Sequence, residues 1–144
     1  MAIQRVPASV LEIVARREGT IHRREALYEE AAAIIERDFD RELDLESVAR
    51  QIATSRRQLQ RAFAEVGDTS FRGFLAEVRM RNALRLLQDG SAPVREVAVS
   101  VGYRQPAQFA KAFRRHHGAP PSDFRGREDA SSEALSPAEQ PLAA

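Results

Sequence analysis

The chain has 144 residues, 43% of them apolar and 30% charged, with no cysteine and a net charge of +1. Such a composition supports one domain, or a compact pair of subdomains, around a buried core, and it excludes disulfides, thiolate nucleophiles and cysteine-ligated zinc. The charge is unevenly spread: residues 1–43 carry 7 basic and 9 acidic side chains, residues 44–125 carry 14 and 8 (+6), and residues 126–144 carry 1 and 4.

Alternating apolar and polar strand patterns are absent, and alanine, leucine, glutamate and arginine fill the stretches between punctuation residues, so the sequence reads as all-α. Ser9 is the expected N-cap of a short opening helix with Val10, Ile13 and Val14 on one face, stopped at Gly19. A second helix is expected over residues 23–38, placing Leu27, Ala31, Ile34, Ile35 and Phe39 at helical spacing. Asp44 then caps a short helix reaching about Ala53, with Leu45, Val48, Ala49 and Ile52 inward. Ser55, followed three residues later by Gln58, has the pattern of a capping box and opens a helix that Gly67 ends. Ser70 caps a long helix from Phe71 to Gln88, about 18 residues and roughly 27 Å. A further short helix starts near Pro93 and ends at Gly102, and Pro106 opens a last one that closes at His117–Gly118. Beyond Gly126 the apolar content is too low to pack, and a disordered tail is expected.

The chain contains an internal repeat. Val48, Ala49, Ile52 and Ala53 correspond to Val97, Ala98, Val101 and Gly102 at a constant offset of 49. After a one-residue difference in the turn, Leu59, Arg61, Ala62 and Phe63 correspond to Phe109, Lys111, Ala112 and Phe113 at an offset of 50. Each copy reads as a helix-turn-helix, with a small residue, Ala49 or Ala98, letting the two helices approach closely. One such match is weak evidence. Two in register within a +6 segment point to an anionic partner and to DNA in particular.

With these residues in view, residues 34–125 resemble the DNA-binding module of the AraC/XylS family of bacterial transcription regulators. The first motif reads Leu45-Glu46-Ser47-Val48-Ala49, then Ser55 followed by Leu59-Gln60-Arg61-Ala62-Phe63. The connecting helix carries Phe74-Leu75, Arg79, Ala83 and Leu86-Leu87. The second motif reads Val97-Ala98, Val101-Gly102-Tyr103, then Phe109 and Phe113, and closes with Gly118 through Arg125, similar to the family's terminal glycine–proline–aromatic–arginine signature. Three positions depart from the family pattern. Gly67 comes one residue early and leaves Asp68 where a left-handed residue is expected, Ala53 stands where glycine is common, and Pro106-Ala107 replaces polar base-reading residues.

The resemblance implies that each motif's second helix reads DNA. On the first, Arg57 and Arg61 are four apart and share a face with Gln60, away from Leu59 and Phe63. Arginine takes both acceptors of guanine and glutamine pairs with adenine, each giving about 1–3 kcal/mol of discrimination. On the second helix, Gln108 and Lys111 are the base-directed candidates, while Ala107 has only a methyl to offer a thymine. Ser55, Arg56, Arg114 and Arg115 are the candidate phosphate contacts. The competing reading of all nine is an ordinary solvated helix surface. Because Pro106 and Ala107 weaken the second reading surface, the first motif is expected to specify sequence more than the second.

Other constellations carry less. His116 and His117 are adjacent and point about 100° apart on a helix, and His117 stands where the family places an aromatic residue, so packing outweighs a metal site with His22. The acidic run Asp38, Asp40, Glu42, Asp44 and Glu46 reads as capping and solvation. No Ser/His/Asp spacing, glycine-rich phosphate loop or carboxylate pair stands out. The expectation is a protein with no catalytic residue, metal or cofactor, and not an enzyme. No apolar run nears the roughly 20 residues that span a bilayer, and no basic start precedes a short apolar stretch as in a signal peptide.

The expected organisation is an N-terminal extension with a short helix (1–22), a first helix-turn-helix subdomain (23–69), a linker helix (70–89), a second helix-turn-helix subdomain (90–126) and the tail (127–144). With about 22 residues before the module's first helix, the chain is similar to the short, stand-alone, MarA/SoxS-like members. That implies a cytoplasmic, nucleoid-associated monomer bound to double-stranded DNA on two sub-sites one turn apart, with RNA polymerase as a second candidate partner and no membrane. The rival reading is a helical protein-interaction module, an anti-regulator or adaptor, without DNA-binding activity.

Overall fold

The computed structural model describes residues 5–126. It contains six α-helices: α1 (Ala8–Asp38), α2 (Leu45–Gln51), α3 (Arg56–Glu65), α4 (Phe71–Asp89), α5 (Val94–Ser100) and α6 (Pro106–His117), followed by a 3-10 turn at Pro121–Phe124. No strand occurs among the described residues, as the all-α reading required. The expected tail lies outside them.

Local chemistry sets most boundaries. The Asp44 carboxylate accepts from the Ser47 N–H at 2.6 Å, the Ser55 hydroxyl from the Gln58 N–H at 3.2 Å, and the Ser70 hydroxyl from the Gly73 N–H at 3.0 Å. Each satisfies a donor that the first helical turn leaves open. Pro106 opens α6 at a position where a missing N–H costs nothing, and Gly118 closes it in the left-handed conformation (φ 80°).

The first helix corrects the sequence reading. Instead of a short helix ending at Gly19 and a second over 23–38, α1 runs 31 residues without a break. Gly19 does not adopt a positive φ, and nothing lies within 4 Å of where its Cβ would sit. A glycine stops a helix by turning the chain into the left-handed region. Left in helical geometry on an open surface it only weakens the helix, by about 0.5–1 kcal/mol. No proline stands nearby to remove a donor. Ser9 is not the cap either: the Pro7 carbonyl accepts from the Val10 and Leu11 N–H groups at 3.0 and 3.2 Å, which puts Ser9 inside the first turn. Val10, Ile13, Val14 and Ile21 on this half of α1 are all exposed.

The described residues form two compact subdomains. One comprises the chain up to Arg37 with Leu43–Gly73, the other Asp38–Glu42 with the chain from Phe74 onward. In the first, Leu27, Ala31 and Ile35 of α1, Val48 and Ala49 of α2, and Leu59, Ala62 and Phe63 of α3 are buried. In the second, Met80, Ala83 and Leu87 of α4 join Val97, Ala98, Val101, Phe109 and Phe113 in one core, edged by Phe39, Tyr103 and Phe124. The expected linker helix is therefore more than a connector: from Phe74 on, α4 supplies a wall of the second core.

The repeat is visible in the backbone. The Thr54 N–H donates to the Ala49 carbonyl and the Tyr103 N–H to the Ala98 carbonyl, both at 2.9 Å. Ala53 and Gly102 precede these donors with φ of 54° and 93°. Asp68 also takes the left-handed conformation expected of it (φ 49°).

Candidate nucleic-acid interface

Helix α3 owes its orientation to its buried stripe. Leu59, Ala62 and Phe63 are fully buried, and the Phe63 ring meets Tyr28 of α1 edge-on at 5.3 Å and Phe71 at 5.7 Å. At the helix's far end Glu65 forms an ion pair with Arg24 of α1. Close packing also explains Gly67, where a Cβ would meet the Tyr28 ring at 2.5 Å. With α3 braced on that side, a rotation of about 100° per residue puts Arg57 and Arg61 opposite Leu59, with Gln60 on their flank. All three are exposed, as are Ser55 and Arg56 at the helix start. The Ser55 hydroxyl accepts its capping bond and keeps its own proton to donate.

Helix α6 repeats the arrangement with a different cation register. Phe109 and Phe113 are fully buried, packed in a chain of edge-on and tilted rings with Tyr103, His117 and Phe124. Gln108, Lys111, Arg114 and Arg115 are exposed on the other side. At the repeat offset Arg61 maps to Lys111, whereas Arg57 maps to Ala107. The positive charge of α6 therefore begins a turn later and extends through Arg114 and Arg115, in the last turn where cations also suit the helix dipole. None of Arg57, Arg61, Lys111, Arg114 and Arg115 makes an ion pair with another described residue. Exposed, uncompensated cations opposite a buried stripe are what an anionic partner meets first.

Two arginines of this region escaped the sequence reading as functional candidates. Arg104, exposed and just before the α6 N-cap, pairs with Glu42 at 3.4 Å. Arg79 of α4 is half-buried. Its Nε donates to the Phe39 carbonyl at 2.8 Å, its Nη2 to the Arg41 carbonyl at 2.9 Å, and its guanidinium lies 5.6 Å from the Tyr103 ring centre. Burial lowers the Arg79 pKa and raises that of Tyr103. Arg104 meets Glu42 across 62 positions, and Arg79 meets the Phe39 and Arg41 carbonyls across 40 and 38, so no local spacing announces them.

His117 settles into packing. The His117 ring lies 4.5 Å from Phe113 and 5.9 Å from Phe124, with Nε2 at 3.2 Å from the Met80 carbonyl. Since a carbonyl only accepts, Nε2 carries the proton. His116 is exposed, and among the described residues no group of three or more histidines and carboxylates gathers to hold a metal ion.

Two helix pairs, each joined by a tight turn and each presenting a cationic face on its second member, define a tandem helix-turn-helix protein. Residues 48–127, more than half of the chain, match the helix-turn-helix domain family. The chain is 37% identical over 93 residues to the HTH-type transcriptional regulator GlxA of Rhizobium meliloti, covering 65% of this chain and 29% of that protein. The C-terminal domain of AraT, a response regulator from Geobacillus stearothermophilus, superposes with a TM-score of 0.67 at 32% identity, over 69% of this chain and 83% of that one. The DNA-binding domain of the global transcriptional factor AdpA, solved in complex with a target DNA, gives a TM-score of 0.60 at 29% identity, over 81% of this chain and 97% of that one. This chain belongs to the AraC/XylS-type helix-turn-helix family. It spans about a quarter to a third of the length of the curated relatives it matches. No helix of the described residues is long and apolar enough to cross a membrane.

Proposed function

We propose that the chain is a sequence-specific DNA-binding transcription regulator that inserts α3 and α6 into successive segments of the major groove. The observation that carries this reading is the twice-repeated exposed cationic face opposite a fully buried stripe. The DNA-bound AdpA domain supports it. On α3, Arg57, Gln60 and Arg61 read bases while Ser55 and Arg56 hold phosphates. On α6, Gln108 and Lys111 reach bases while Arg114 and Arg115 hold phosphates. One copy covers two sub-sites about 34 Å apart, one helical turn, on an asymmetric site. The protein acts without enzymatic activity, in the cytoplasm at the nucleoid, with RNA polymerase as a further partner once bound.

The test is selection of a site from a random DNA pool, followed by hydroxyl-radical footprinting and sedimentation of the complex. One protein protecting two patches a turn apart is expected. A symmetric two-protein footprint on a palindrome overturns the monomeric part. Failure to select any sequence, with unrelated DNA competing equally, overturns sequence-specific recognition.

A further inference from the structure

We propose that Arg79 is the positioning residue of the second reading helix, holding the α5–α6 turn so that Gln108 and Lys111 meet DNA in register. The inference rests on the DNA-binding reading and deepens it.

Helix α6 needs an outside brace. Its N-cap, Gln105, makes no side-chain capping bond, whereas Ser55 caps α3 directly. The turn before it passes over the Arg79 guanidinium instead. Two backbone carbonyls of the loop after α1, those of Phe39 and Arg41, fix the guanidinium in place. Its cation lies within reach of the Tyr103 ring face, at 5.6 Å. Tyr103 in turn meets Phe109 edge-on at 5.7 Å, and Phe109 is fully buried in the first turn of α6. The chain of contact therefore runs from the loop carbonyls through Arg79 and Tyr103 into the start of the reading helix.

Gly102 shows how tight this assembly is. A Cβ there would sit 3.0 Å from Arg79 Nη2, 3.1 Å from its Cζ and 3.1 Å from the Phe39 carbonyl oxygen. At the equivalent turn of the first motif stand Ala53 and Thr54, and the Thr54 hydroxyl is buried without a partner. An arginine is required because its planar fork addresses two carbonyls at once while its charge lies over a ring. A lysine offers a single point charge.

The experiment uses the full chain and its selected site. Arg79→Lys, Tyr103→Leu and Lys111→Ala are compared by affinity, footprint and thermal melting. Arg61→Ala and Lys111→Ala first assign the two protected patches to α3 and α6. Arg79→Lys is expected to weaken binding about tenfold, the scale of one lost base-directed contact, to fade the α6 patch and to leave the α3 patch intact. Added to Arg79→Lys, the Lys111→Ala change should cost much less than it does alone, because the contact is already misaligned. If Arg79→Lys does not fold at the assay temperature, Tyr103→Leu is read by the same criteria. Protection of both patches, equal fading of both, or full additivity with Lys111→Ala overturns the proposal. A parent chain that selects no DNA overturns both readings, whereas a parent that binds normally with unchanged variants overturns this one alone.

Discussion

Ala53→Gly should make the protein more stable, although it removes a methyl group and loosens the unfolded chain. Ala53 is held at φ 54° in the α2–α3 turn, on the exposed surface. A left-handed conformation costs an L-residue about 1–2 kcal/mol, while glycine brings back about 0.5–1 kcal/mol of backbone entropy to be lost on folding. The exposed methyl has little packing to lose, so the net gain is about 0.5–1 kcal/mol, or an increase of about 2–4 °C in Tm for a chain of this size. The reciprocal change at the second motif should go the other way and further. Gly102→Ala meets the same backbone cost at φ 93° and adds crowding against Arg79 and the Phe39 carbonyl, for a loss of about 2–4 kcal/mol. Thermal and urea unfolding of parent and both variants, followed by far-UV circular dichroism, measures the two effects. Ala53→Gly leaving Tm unchanged or lowered would refute the strain argument, and with it the view that the turns of the repeat share one backbone geometry.

The remaining expectations concern charge. With about 6–8 phosphates contacted, the logarithm of the DNA association constant should fall with the logarithm of salt concentration with a slope of about −5 to −7; a slope near zero in a titration by fluorescence anisotropy would support a protein partner instead. Arg61→Ala should relax preference at one base position of the selected site, whereas Arg115→Ala should weaken all sequences about equally; uniform losses from both across a randomised site would remove base reading from α3. The Ser47 N–H bonded to the Asp44 carboxylate, the largest cause, holds its pKa below the ordinary value, so the contribution of that cap is complete above about pH 4 and is lost as pH falls through the lowered folded-state value. Asp44→Asn should keep the cap and flatten this part of the acid unfolding profile; an identical profile would show that the carboxylate plays no part in it.

Most of the architecture was legible because its signals are local. Asp44, Ser55 and Ser70 cap the helices they were expected to cap, Gly118 turns the chain where α6 ends, and Asp68 takes the left-handed geometry its position demanded. Gly19 misled because the same residue type ends a helix or sits inside one, depending on a φ the sequence does not record. The exposed faces of α3 and α6 were also readable, since Leu59 and Phe63, or Phe109 and Phe113, fix by periodicity which side is left for Arg57, Arg61 and Lys111. The braces were not. Arg24 meets Glu65 across 41 positions and Arg79 meets Phe39 across 40, and such pairs exist only once the chain has folded. Their arginines look in sequence like any others among the 22 basic residues.

The unbroken course of α1 hides a steep change in how firmly it is held. From Leu27 onward its inward side chains are buried, but before Arg24 every described residue is exposed. A helical stretch of about 15 residues without packing is marginal in water, and Gly19 lowers its propensity further. Hydrogen exchange should divide the helix in two. Amides before Arg24 are expected to exchange at rates close to those of a peptide, while those around Ala31 and Ile35 wait for the whole first subdomain to open. Uniform protection along α1 would contradict this. The stop that Gly19 does not impose on the geometry would then reappear as a step in protection, one helix in shape behaving as two in free energy.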